Sequence, residues 1–139
     1  MLKVYYQPET ISKDCTKIDF KKIAENVLQG EGKNSKRIHL IVTDDAFVRD
    51  LNKRYRKLDK TTDVLAFPFN EKQFLGEIYI SAEQVKRQAS HYKTTFTNEM
   101  LRVFIHGILH LCGYDHKKEK QRVVMRKKEI AYLKQVDRL

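Results

Sequence analysis

The chain predicts an α+β fold, a mixed four-stranded sheet packed with about five helices, and three observations carry that expectation. A strand-like run, a helical periodicity and a second strand-like run follow one another from the N-terminus, the order of a parallel pair joined by a crossover. Two later runs, Val64 to Phe67 and Leu75 to Ile80, lie close enough to form an antiparallel hairpin. The stretch Met100 to Cys112 is apolar round most of a helical circumference, the pattern of a helix buried at the centre of the molecule.

Each element has a local cause. Leu2 to Tyr6 is rich in Val and Tyr and ends before Pro8, which reads as a strand. Asp19 is placed to cap a helix in which Phe20, Ile23, Ala24, Val27 and Leu28 recur at helical spacing, with Gly30 closing it. Arg37 to Val42 is the second strand. Thr43 is the expected N-cap of the next helix, whose first turn holds Asp44 and Asp45 and whose apolar face is Ala46, Phe47, Leu51 and Tyr55. The hairpin follows, with Asn70 to Gln73 as its polar turn. Ser81 with Gln84 makes a capping-box pattern for a helix with Val85 and Ala89 inward. Thr97 is the expected cap of the central helix. A last helix, about Lys117 to Asp137, carries Val123, Val124, Ile130, Ala131, Leu133 and Val136 among many basic residues.

Length and composition predict one domain over residues 1–139, large enough to bury about two thirds of its unfolded surface. Lys and Arg number 28 against 18 Asp and Glu, a net charge of +10, which favours a polyanionic partner. Cys15 and Cys112 form no C-x-x-C pair, so neither a disulfide nor a thiolate metal site is indicated. The N-terminus lacks a signal-peptide pattern and no apolar run approaches the roughly 20 residues of a membrane span, so a cytoplasmic location is expected.

The chemistry concentrates in FIHGILHLCGYDH, Phe104 to His116. His106 and His110 are four residues apart and share one helix face. Gly113 can turn the chain back, and His116 then returns as a third ligand. Three imidazoles suit zinc and leave a coordination position for water, the arrangement of a hydrolytic site rather than a structural one. The spacing matches the metzincin proteases except that their general-base glutamate is replaced by Gly107, which points to a close approach of another backbone or a substrate. Cys112 lies about 200° round the helix from His110 and is not expected as a fourth ligand. His39 reads as structural and His91 as surface.

HGILHLCGYDH resembles the H-G-x-L-H-L-x-G-Y-D-H signature of the YbeY family. LNKRYRKLDKTTDVLAFPF (Leu51 to Phe69) and LGEIYIS (Leu75 to Ser81) resemble two further blocks of that family in the same order, with Ala66 where the family usually has serine. The resemblance implies a zinc-dependent endoribonuclease directed at single-stranded RNA, acting in ribosomal RNA maturation at the 16S 3′ end and in ribosome quality control, with the ribosome or small-subunit proteins as partners. It implies His106, His110 and His116 as ligands of one zinc ion per chain and Arg56 as a residue needed for activity. Asp115, beside a ligand, and Glu77, in the family's acidic strand position, are the candidates for orienting a ligand histidine or handling a proton. Two other readings stand beside it. One is a zinc peptidase or amidohydrolase; the other is a non-catalytic ribosome-binding module with a structural metal.

Overall fold

The computed structural model describes residues 2–69 and 71–139; Asn70, expected in the hairpin turn, lies outside them. Four strands, β1 (Leu2–Tyr6), β2 (Arg37–Thr43), β3 (Val64–Pro68) and β4 (Phe74–Ser81), form one sheet in the order β1-β2-β4-β3. β1 and β4 both run parallel to β2, whereas β3 and β4 make the antiparallel hairpin. The mixed sheet is the one expected from the spacing of the runs.

Among the described residues five α-helices accompany it: α1 (Phe20–Gly30), α2 (Asp45–Arg56), α3 (Ala82–His91), α4 (Phe96–Leu111) and α5 (Glu119–Val136). A 3₁₀ helix, Glu9–Cys15, precedes α1; no periodicity in the sequence announced it. None of the described helices is long and apolar enough to cross a membrane.

Strand alternation sorts the sheet into two faces. Ile38, Leu40, Val42, Ile78 and Ile80 turn towards the main core with Val64 and Ala66 packed against it. α4 lies on that face, with Met100, Val103, Phe104, Ile105, Ile108 and Leu109 fully buried, so the histidine helix is the central one. Phe20 of α1 meets Phe104 edge-to-face at 5.2 Å. α2 occupies the other face, where Phe47 stacks on Tyr79 at 6.0 Å.

Two helix starts differ from the expectation, each because a tertiary contact takes the side chain. Thr43 is buried as the last residue of β2, and its hydroxyl donates to the Gln7 carbonyl at 2.7 Å. Asp44 caps α2 instead, accepting from the Phe47 N–H at 2.9 Å. For α4 the cap is Thr95, accepting from the Asn98 N–H at 3.0 Å, which starts the helix early enough to lay Phe96 against the core. Ser81 caps α3 as expected, but Gln84 does not complete a capping box, its amide donating to Gln88 at 3.2 Å. Asp19 caps α1 through the Lys22 N–H.

Of the apolar residues expected to face inward from α5, Leu133 and Val136 pack against the core, whereas Val123, Val124 and Ile130 are exposed, and the buried face is made by Met125, Glu129 and Tyr132. A glutamate on the buried face has a purpose that only the site explains.

Candidate metal centre

α4 ends in a Schellman turn. Gly113 N–H donates to the His110 carbonyl and Tyr114 N–H to the Leu109 carbonyl, both at 3.0 Å. Gly113 sits at φ +103°, a region that side chains disfavour, so this position is where glycine lets the chain reverse. The reversal brings His116 back over the helix end. Asp115 then fixes the loop, its Oδ1 accepting from the backbone N–H of His116 at 2.7 Å and of Lys117 at 3.3 Å.

The three imidazoles meet as their spacing predicts. Their ligand nitrogens all lie within 4.8 Å of one another, and the ring centroids are 4.8 Å apart for His106 and His110, 4.8 Å for His110 and His116, and 5.4 Å for His106 and His116. His110 Nε2 and His116 Nδ1 approach to 2.9 Å. Burial, reinforced by the neighbouring His106 and His116, pushes His110 down to about 4. It is therefore neutral at pH 7 and offers a lone pair, which is the form a metal requires.

The carboxylate beside His106 is Glu129, which neither the motif nor the family blocks singled out. Its Oε2 lies 3.0 Å from Nδ1 of His106, leaving the other ring nitrogen for the centre. Arg102 reaches the same carboxylate at 3.7 Å, is bonded to the buried Glu99 at 2.7 Å, and approaches Asp63 at 3.9 Å. Glu99, Arg102 and Glu129 thus form an ion-pair network that leads along α4 to His106. The one sequence signal for Glu129 was an acidic residue in register with buried Met125 and Tyr132.

Glu77 is not near the histidines. It pairs across from Phe67 and alternates with Ile78, so it projects from the α2 face of the sheet while α4 lies on the opposite one. Asp115 does reach the site. Together with Arg56, the β3 segment, His106, His110, His116 and Lys117, it lines a cavity of about 590 Å³. The His116 and Lys117 amides outweigh the small cost of desolvation and hold the Asp115 carboxyl below the usual carboxylate range. Arg56 is the last residue of α2, and the loop that follows it is fixed by side chains of α2. Buried Asn52 donates to the Lys60 carbonyl at 2.8 Å, and Asp45 accepts from Ser81 at 2.7 Å and from Thr61 at 3.3 Å.

Cys112 stays out of the cluster. Burial pushes its thiol up to about 11, so it is protonated at neutral pH and a poor ligand. Gly107 faces neither substrate nor another backbone: a Cβ there would meet the Ile78 side chain at 2.9 Å and Val64 at 3.3 Å, so the glycine lets α4 sit tightly on the sheet. His39 packs between Tyr5 and Phe74, and exposed His91 lies against Tyr92, both outside the site.

The hydroxyls of Tyr114 and Tyr132 both donate to Glu31, the first at 2.7 Å, and Lys128 approaches the same carboxylate at 3.4 Å. Burial alone would raise the Glu31 pKa, but these two hydroxyls and the ammonium hold it below the usual range. The ligand loop is thereby tied to the end of α1 and to α5.

Comparison with known proteins agrees with the motifs. The family model described as Endoribonuclease YbeY matches residues 5–137. Curated relatives described as Endoribonuclease YbeY include one from Sulfurihydrogenibium sp., 38% identical over 124 residues, covering 86% of this chain and 82% of that protein. Another, from Persephonella marina, is 36% identical over 132 residues, covering 90% and 86%. A third, from Aquifex aeolicus, reaches 44% over 101 residues, covering 70% and 67%. The solution structure of TM1509 from Thermotoga maritima superposes with a TM-score of 0.72 at 33% identity, covering 98% of this chain and 89% of that one. With its motif blocks in order, its histidines convergent and its matches spanning most of both chains, this chain belongs to the Endoribonuclease YbeY family.

Proposed function

We propose that this chain is a metal-dependent endoribonuclease that hydrolyses phosphodiester bonds within single-stranded RNA. Its proposed setting is the cytoplasm, in ribosomal RNA maturation at the 16S 3′ end and in ribosome quality control, with the ribosome or small-subunit proteins as partners. The observation that carries the reading is the convergence of three imidazoles in one cavity with Arg56. The relatives' description as endoribonucleases and the net charge of +10 support an RNA substrate over a peptide.

His106, His110 and His116 would hold a zinc-class ion, and the donor set fits one: neutral imidazole at His110, a carboxylate on the far nitrogen of His106, and no thiolate. When bound, such an ion supplies Lewis acidity and a lowered water pKa. The chain's own residues do the rest. Arg56 presents a planar fork of N–H donors matched to two non-bridging phosphate oxygens, and its charge offsets the negative charge that grows at phosphorus as water adds. Both backbone amides bond to Asp115 Oδ1, and among the described residues its Oδ2 has no partner, so Oδ2 would accept a hydrogen bond from that water. Held below the usual carboxylate range, it orients water better than it removes a proton.

The test is cleavage of a labelled single-stranded RNA by the purified chain, with metal content measured, metal removed by chelation and zinc returned. His116→Ala is expected to abolish cleavage while leaving RNA affinity within a few-fold. Arg56→Ala is expected to lower kcat by about 10²–10³. Cleavage of casein or acylated peptides without cleavage of RNA would replace the nuclease reading with a peptidase. Equal loss of folding and binding in His116→Ala would indicate a structural metal.

A further inference from the structure

The α2 face of the sheet holds a second feature. Leu51, Tyr55, Phe67, Phe69, Glu77 and Tyr79 line a cleft of about 280 Å³. Its aromatic rings are linked in a chain, Tyr55 to Phe67 at 5.4 Å and Phe67 to Tyr79 at 5.8 Å. Yet Tyr55 is 65% exposed and Phe69 40%. Large aromatic side chains gathered at the surface mark a binding surface rather than an unfinished core.

Two observations identify the occupant. The first is continuity with the histidine cavity. Phe67 of the edge strand β3 borders both spaces, and the adjacent residues Tyr55 and Arg56 divide between them, Tyr55 lining the cleft and Arg56 the cavity. The second is chemical. Lys53, Arg56 and Lys57 bring positive charge to this end of α2, and Arg56 forms no ion pair among the described residues. The cleft is not wholly apolar, because it contains the Glu77 carboxylate, with Oε1 only weakly engaged by the Tyr79 hydroxyl at 3.4 Å. Covering an acceptor-only carboxylate with an apolar protein surface is costly. A nucleobase suits the same place, stacking its face on the rings and offering N–H donors at its edge.

Resting on the nuclease reading, we propose that this cleft is a stacking subsite for an unpaired base of the RNA strand whose phosphate lies in the histidine cavity, and that Glu77 favours guanine there. Guanine presents adjacent N1–H and N2–H donors, the pair that matches the two oxygens of one carboxylate. The remaining bases stack without that match. Cleavage would then occur beside a preferred guanine instead of at any unpaired position.

The test measures the affinity of the purified full chain for non-cleavable single-stranded oligoribonucleotides: oligouridine with one internal guanosine, the same strand with inosine there, and the same strand with an abasic residue. Tyr55→Ala and Phe69→Ala are each expected to weaken binding of the guanosine strand about 5- to 100-fold, and Tyr55→Phe to restore it to within about twofold. Either alanine variant should weaken the abasic strand less than the guanosine strand, because only a uracil can then enter the cleft. Inosine, which lacks the second donor, should bind more weakly than guanosine to the parent and equally to Glu77→Gln. Because Tyr55 is largely exposed, its thermal midpoint serves as the folding control. Unchanged guanosine-strand affinity in both alanine variants, with the parent still binding and cleaving RNA, overturns the subsite alone and leaves the aromatic cleft to a protein partner. Failure of the parent to bind any of the strands overturns the nuclease reading with it.

Discussion

Glu129 Oε2 stands 3.0 Å from Nδ1 of His106, placing a buried carboxylate behind one of the three histidines that converge at the end of α4. The two residues lie on different helices, α4 and α5, so the contact ties ligand orientation to helix packing. Orientation of this kind usually accounts for about 10- to 100-fold in metal affinity. Glu129→Gln and Glu129→Ala are expected to weaken zinc binding across that range, the alanine more. Zinc titration against a competing chelator checks it, and affinity equal to that of the parent would show that Glu129 serves only Arg102.

Glu31 anchors the loop that carries His116 through the Tyr114 hydroxyl. Glu31→Ala leaves the hydroxyls of Tyr114 and Tyr132 without their acceptor, at a cost of about 1–3 kcal/mol in stability. On the proposed metal site, zinc affinity should fall as well, because the loop that carries His116 is no longer held in place. Chemical denaturation and zinc titration on the same variant separate the two effects; a loss of stability with unaltered zinc affinity would confine Glu31 to packing.

The Glu99 and Arg102 pair predicts acid sensitivity. Burial acts to raise the Glu99 pKa, but the Arg102 and Gln88 hydrogen bonds and the Arg102 charge outweigh it, so the folded value lies below that of an ordinary glutamate. The ionised form therefore contributes stability that is complete above the unfolded value, about 4.3, and is lost as pH falls through the lower folded value. Glu99→Gln is expected to destabilise the protein by about 1–2 kcal/mol at pH 7, with the gap from the parent closing below about pH 4. Thermal melts from pH 7 to pH 3 measure this, and a gap that stayed constant would exclude the linkage.

Gly107→Ala sets two effects against each other. Alanine is favoured over glycine within a helix by about 1 kcal/mol. Its Cβ, however, would meet the Ile78 Cγ2 at 2.9 Å, and Ile78 is fully buried in the core. Overpacking of this kind costs about 1–3 kcal/mol, so the net expectation is a loss of about 1 kcal/mol and a melting point lower by about 3–4 °C. A melting point above that of the parent would mean that helix propensity outweighs the contact.

Local rules in the sequence determined the strands and α-helices, the mixed sheet and the meeting of His106, His110 and His116, because helical spacing and a glycine turn act over a few residues. The family blocks were legible for the same reason, each being a contiguous run. Only the tertiary structure decided which carboxylate serves the histidines. Glu129 arrives from 23 residues away, on a helix whose buried face does not follow its most apolar residues. Glu77 leaves because strand alternation turns it to the α2 face, and which face α4 covers is settled by packing. The same packing moved two helix caps and gave Gly107 its role against Ile78. Burial and ion pairing depend on which elements touch, and that information is spread over the whole chain.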